Sequence, residues 1–277
     1  MSRQAKFAVA ALLLLLLAME AGLRADMADL QAQTIAAFDR YVRLTEARMA
    51  RETSGEAPFI WTDGVPEPRK TTALGELKRG LLVIDSLTTK DAGRKIDVPD
   101  GLIHHWVGVV FVPGGTVDKA VALLQDYDRH AEIYKPAVAR SKTLSHTGND
   151  YRVYLRFYMK KVLTVVLNTE HEARFTRPRP GQAYSQIHST RIAEIENPDT
   201  PAEREKPIGR DGGYMWRLNT YWRFLERDGG TYVQCESISL TRGIPLGFGW
   251  LVGPFVTSIP RESLTFTLET TRKTLLK

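Results

Sequence analysis

Cysteine is nearly absent: Cys235 is the single thiol in 277 residues. No intramolecular disulfide can form, so core packing and hydrogen-bond ladders must hold the fold together. Cys235 lies among Tyr232, Val233 and Ile238 with no histidine near it in sequence, which predicts a small buried side chain rather than a nucleophile. Strong charge is missing too. The formal net charge is +6, and basic residues alternate with apolar ones (Arg152, Arg156, Lys160; Arg217, Arg223) in the pattern of a solvated sheet face. No nucleic-acid partner is expected. Metal-ligand spacings of the HxH or CxxC kind do not occur; His104 and His105 are adjacent, and in a strand they point to opposite faces. Neither a metal nor a cofactor is implied. The apolar run Phe7–Met19 has 13 residues, short of the roughly 20 that a membrane-spanning helix needs.

That run sits in a leader-like segment. Arg3 and Lys6 precede it, Leu12–Leu17 are six consecutive leucines, and Ala21 and Ala25 are possible cleavage positions. Residues 1–25 therefore read as a secretory signal peptide, and the mature protein is expected in the periplasm or outside the cell. Met19 and Leu23 stand where the cleavage site wants small residues, so the alternative is membrane anchoring by an uncleaved signal.

Residues 26–72 read as an N-terminal helix and a linker. Asp26–Glu52 lacks Gly and Pro, and Leu30, Ile35, Phe38, Val42, Thr45 and Met49 recur near helical spacing. This amphipathic helix is expected to pack on the outer sheet or on a neighbouring chain. Thr53–Thr72, with Pro58, Gly64, Pro66 and Pro68, looks linker-like, with Phe59 and Trp61 exposed.

From residue 73 onward the pattern is one folded unit. Gly75–Thr88 and Leu102–Pro113 are β-rich, Thr116 precedes a helix over Val117–Asp126, and Tyr127–Ala139 is a broken second helix. Antiparallel strands then follow, including 151–160, where Tyr151, Val153, Leu155, Phe157 and Met159 alternate with Arg152, Tyr154, Arg156, Tyr158 and Lys160. Gly212–Glu226 and Thr231–Arg242 form a hairpin through Asp228-Gly229. With those two as the loop, Phe224 pairs with Val233, Trp222 with Cys235 and Tyr221 with Glu236. One face then carries Trp216, Leu218, Trp222, Phe224, Val233 and Cys235, and its three large aromatics make it the better interior candidate. The other carries Arg217, Asn219, Tyr221, Arg223, Gln234 and Glu236. After an apolar Gly/Pro-broken connection from Gly243 to Pro254, Pro260 suits the first turn of a closing helix whose stripe is Leu264, Leu268, Thr271 and Leu275.

The order of these elements, together with DGGYMWRLNTYWRF, GGTYVQCESISLTR and IPRESLTFTLETTRKTL, resembles the START-like (SRPBCC) superfamily of polyketide cyclases and lipid-transfer domains. The resemblance covers roughly Leu74–Lys277. It implies an α+β helix-grip fold, a curved antiparallel sheet around a long C-terminal helix, with a hydrophobic ligand cavity between them. On that basis the chain is expected to be an exported, non-catalytic carrier of a lipid or other hydrophobic small molecule. Trp106, Phe157, Trp216, Trp222 and Trp250 would form the cavity wall, and Arg191 and Glu236 would pair as polar anchors. Leu246, Phe248, Trp250, Leu251 and Phe255 suggest an apolar lid that admits a ligand or makes transient membrane contact. The alternatives are a cyclase or hydrolase with His171 or Glu236 as base, and an assembly protein that uses the Asp26–Glu52 helix as its interface.

Overall fold

In the computed structural model, the described residues are 28–160, 164–243 and 249–277, with side chains described from 258 onward in the last stretch. The leader-like segment lies outside them. The fold is an α+β helix grip. Eight strands form one antiparallel sheet: β1 (Val83–Ser86), β2 (Gly101–Pro113), β3 (Val138–Thr147), β4 (Asp150–Lys160), β5 (Thr164–Arg179), β6 (Gln182–Glu196), β7 (Arg217–Arg227) and β8 (Gly230–Arg242). Their spatial order is β1-β2-β8-β7-β6-β5-β4-β3, and the short strand Arg204–Glu205 pairs with β6. The final helix, Gly249–Leu275, lies against β2 and β8.

The β7–β8 hairpin has the register expected from its turn. Phe224 faces Val233, Trp222 faces Cys235 and Tyr221 faces Glu236. Asp228 and Gly229 have φ of 59° and 74°, which a tight two-residue turn requires and which glycine adopts without steric cost. Because side chains alternate, this register sends Trp222, Phe224, Val233 and Cys235 to the inner face, where they join Val110, Leu264 and Leu268 in one buried cluster. Close packing of the closing helix depends on Gly108 in β2: an added Cβ there would lie 2.5 Å from Leu268 Cδ1. Two short helices, α4 (Val117–Gln125), capped by Thr116, and α5 (His130–Ile133), pack against the same cluster.

The opposite face is covered as well. Helix α1 (Ala32–Ser54) lays Phe38, Tyr41, Val42 and Met49 over Tyr221, Ile238 and Leu240. The 53–72 stretch does not leave Phe59 exposed: Phe59 is buried and Ile60 has no exposed surface. Helices α2 (Trp61–Gly64) and α3 (Arg69–Lys78) hold these residues with Leu77 against Val109 and Tyr232. Helix α3 also replaces the first half of the strand expected from Gly75; only Val83–Ser86 pairs into the sheet. Pro260 lies inside the closing helix, α6 (Gly249–Leu275), rather than in its first turn. In a first turn proline would cost no hydrogen bond, whereas inside the helix it leaves the carbonyl four residues earlier without its N–H partner, so proline alone does not mark the helix start.

Candidate functional site

Two surfaces of one sheet carry the candidate residues. The inner face, toward α6, is apolar. Trp222 is buried there, and Trp106, Leu155, Phe157 and Ile187 are half-buried at its margin. Neutral polar groups are interspersed: Thr220 pairs opposite Ser237, and His171 pairs opposite Val153. His171 Nε2 is 2.9 Å from Thr169 Oγ1, its Nδ1 has no partner, and burial pushes its pKa down to about 4. Cys235 is buried in the same layer, and burial raises its thiol pKa far above neutrality, which suits a packing role.

The expected wall is therefore split. Trp106, Phe157 and Trp222 share the inner face. Trp216 does not: it joins Phe38, Ile238 and Leu240 on the other side, and its Nε1–H donates to Asp211 Oδ1 at 3.0 Å. The alternation that placed it with Trp222 applies only within the pleat, and β7 begins after it, at Arg217. The side chain of Trp250, and with it the expected lid from Leu246 to Phe255, lies outside the described side chains. Arg191 and Glu236 do not pair. Arg191 binds Glu205, with one contact at 3.2 Å, while Glu236 is fully buried on the outer face, beneath α1.

Around Glu236 is the feature that the sequence did not suggest. Its Oε1 accepts from His105 Nε2 at 2.6 Å and also pairs with Arg48 of α1. Tyr41 Oη is 2.9 Å from His105 Nδ1 and accepts the Thr89 N–H at 2.8 Å. Every contact is satisfied when Tyr41 donates to Nδ1 and the Nε2–H donates to Glu236. Arg48 also donates to Glu52 Oε1 at 2.8 Å, Glu52 accepts from Arg223, and Arg223 donates to the Phe59 carbonyl at 2.7 Å. A further carboxylate of α1, Glu46, accepts from His188 Nε2 at 2.7 Å and from Tyr221 Oη at 2.9 Å.

Burial alone would raise the Glu236 pKa, but the His105 hydrogen bond and the charges of Arg48 and Arg223 outweigh it and hold the carboxyl below its usual range. Arg223, Tyr221, Gln234 and Glu236 thus form a buried polar layer and not a solvated face. The available signal was the α1 stripe itself, since Tyr41, Thr45, Arg48 and Glu52 fall at helical spacing and match the strand charges. Among the described residues no group of three His, Cys, Asp or Glu side chains could hold a metal ion, and no helix is long and apolar enough to cross a membrane.

No family model matches the chain, and no curated protein matches it. Among solved structures it is similar to a STAR-related lipid transfer protein from Xanthomonas axonopodis, with 18% identity and a TM-score of 0.45, covering 69% of this chain and 99% of that one. It is also similar to human STARD10, with 9% identity and a TM-score of 0.42 over 76% of this chain and 81% of that one. A third is the Zhui aromatase/cyclase from Streptomyces sp. R1128, with 13% identity and a TM-score of 0.40 over 63% of this chain and 94% of that one. The chain's own topology is that of a helix grip: an antiparallel sheet in which β2 neighbours β8, two short helices after β2, and a terminal helix along the inner face.

Proposed function

We propose that the protein is an exported, non-catalytic carrier that holds a lipid or other hydrophobic molecule between the inner face of the sheet and α6. The observation that supports this reading is the inner face itself. Its margin of half-buried Trp106, Leu155, Phe157 and Ile187 continues the buried apolar cluster, and the carboxylate that the register places toward one end of it, Glu194 opposite Leu167, is paired with Lys206. A surface of that composition favours an apolar guest through the area removed from water. Base chemistry fits the same surface poorly. Glu236 lies on the opposite face, and a histidine pushed to about 4 is far from the neutral pKa that suits a general base.

Nile red, a neutral apolar dye, tests the reading. Saturable binding with a blue-shifted emission is expected, and Leu155→Arg, which places a charge on the wall, should abolish it. Absence of saturable uptake of Nile red contradicts the carrier reading. Export rests on the leader-like residues 1–25 and predicts a mature chain starting at Gly22 or Asp26. N-terminal sequencing of the exported fraction checks this; a full-length chain held in the membrane would favour the uncleaved anchor. Transient membrane contact through the 246–255 run is supported by the absence of any charged residue from Gly243 to Pro260. Trp250 emission that is unchanged by added vesicles would rule that contact out.

A further inference from the structure

The inner face has a polar centre that a purely apolar guest leaves unused. Four strands each place one residue in a row across it. Trp106 of β2 pairs with Ser237 of β8, Ser237 pairs with Thr220 of β7, and Thr220 pairs with Ile187 of β6. Trp106 and Ile187 pack on the inner cluster, and alternation sends Ser237 and Thr220 to the same side as Cys235 and Trp222. All four side chains are half-buried, so each keeps surface that a small molecule can touch. Two hydroxyls thus stand mid-row between two apolar ends, which the usual strand spacing sets about 14 Å apart.

Neither hydroxyl makes a hydrogen bond to a described residue. Hydroxyls nearby are tied to the sheet: Ser189 accepts the Leu218 N–H at 2.9 Å, and Thr169 donates to the Leu155 carbonyl at 2.9 Å. Directly opposed residues hold their Cβ atoms about 5 Å apart, a gap that one hydroxyl oxygen can bridge at about 2.8 Å to each partner. Each side chain can both donate and accept, so the bridging group can be a donor to one and an acceptor from the other. Charge is absent from this centre. His104 and His171, one row along, are held neutral by burial, and Glu194, farther toward the end of β6, is already paired with Lys206 and accepts the Gly212 N–H at 2.7 Å. An ionic head group placed between Ser237 and Thr220 would lose its hydration without gaining a countercharge.

We propose that the guest is a neutral lipid bearing a hydroxyl group, which sits between Ser237 and Thr220 while its apolar body lies along Trp106 and Ile187. This inference rests on the carrier reading and narrows it. A hydroxyl reproduces the hydrogen bonds of the water it displaces there, which a plain hydrocarbon cannot do.

Displacement of Nile red from the whole chain by 1-decanol, decanoate, decylammonium and decane tests this, because the four probes share one chain length and differ in head group. Decanol is expected to bind about tenfold or more tighter than each of the others. The double variant Thr220→Val with Ser237→Ala keeps the shape of the face and removes both hydroxyls. It should lower decanol affinity about tenfold, to that of decane, while Nile red and decane bind as before. Thr220→Ser, which keeps the hydroxyl, should retain the preference for decanol, and Ser237→Ala alone gives a partial loss if the double variant does not fold. Nile red binding without a preference for decanol, or a preference that survives loss of the hydroxyls, overturns the proposal and leaves the carrier reading standing. Failure of Nile red and all four probes to bind overturns both.

Discussion

Glu236 and His171 show how alike two mid-strand polar residues look in a sequence and how differently they serve. Glu236 occupies a strand position that reads as solvated, because Arg217, Asn219, Tyr221 and Arg223 on the paired strand share its face. What covers that face is a helix about 190 positions earlier in the chain, and no local pattern reports so distant a cover. Removing one partner from a buried ion pair costs about 3–5 kcal/mol, since the other charge is left uncompensated. Glu236→Gln is therefore expected to lose stability of that order, measured by urea unfolding at neutral pH. His171 contributes in another way. Burial pushes His104, His130 and His171 each down to about 4, while an unfolded histidine titrates near 6.5. Between about pH 6.5 and 4 the unfolded chain binds more protons than the folded one, so stability falls as the pH drops through that window. His171→Gln should remove one proton's share of the slope, about 1.4 kcal/mol per pH unit. An unchanged slope would show that His171 is not held neutral. The depressed Glu236 carboxyl acts in a lower window: its contribution is complete above its unfolded value of about 4.3 and is lost as pH falls through its folded one.

At the scale of elements, much was legible. The hairpin register, the α4 helix with its Thr116 cap, the inner face of β4 and the Leu264–Leu268–Thr271 stripe all follow from local periodicity and turn chemistry. Helix α1 was legible as amphipathic, and its apolar face is used on its own sheet through Phe38, Tyr41 and Met49. An assembly role for α1 therefore has no free apolar face to use. The failures occurred where tertiary contact overrides local pattern: Phe59 and Ile60 in a proline-rich stretch, Trp216 just outside the pleat, and Gly75–Lys78 drawn into helix α3. Gly108 gives the clearest elemental prediction. Its lack of a side chain lets Leu268 approach β2, so Gly108→Val should push α6 away from the sheet. The expected result is a loss of about 1–3 kcal/mol and a weakened hold on Nile red. Wild-type stability and binding in that variant would mean that α6 does not depend on this contact.

At the scale of the whole molecule, one sheet is packed on both sides, with α6 toward an apolar interior and α1 with α2 and α3 over a buried polar layer. This division assigns the candidate residues to two places. Trp106, Phe157 and Trp222 belong to the side that suits a hydrophobic guest, and Glu236, Trp216 and His105 to the side that holds the N-terminal helix. Native mass spectrometry of protein purified without detergent tests whether the α6 side carries a guest. Wild-type protein is expected to retain an added mass, extractable into organic solvent, that Leu155→Arg loses. Wild-type protein that repeatedly shows only the mass of its own chain would contradict the claim.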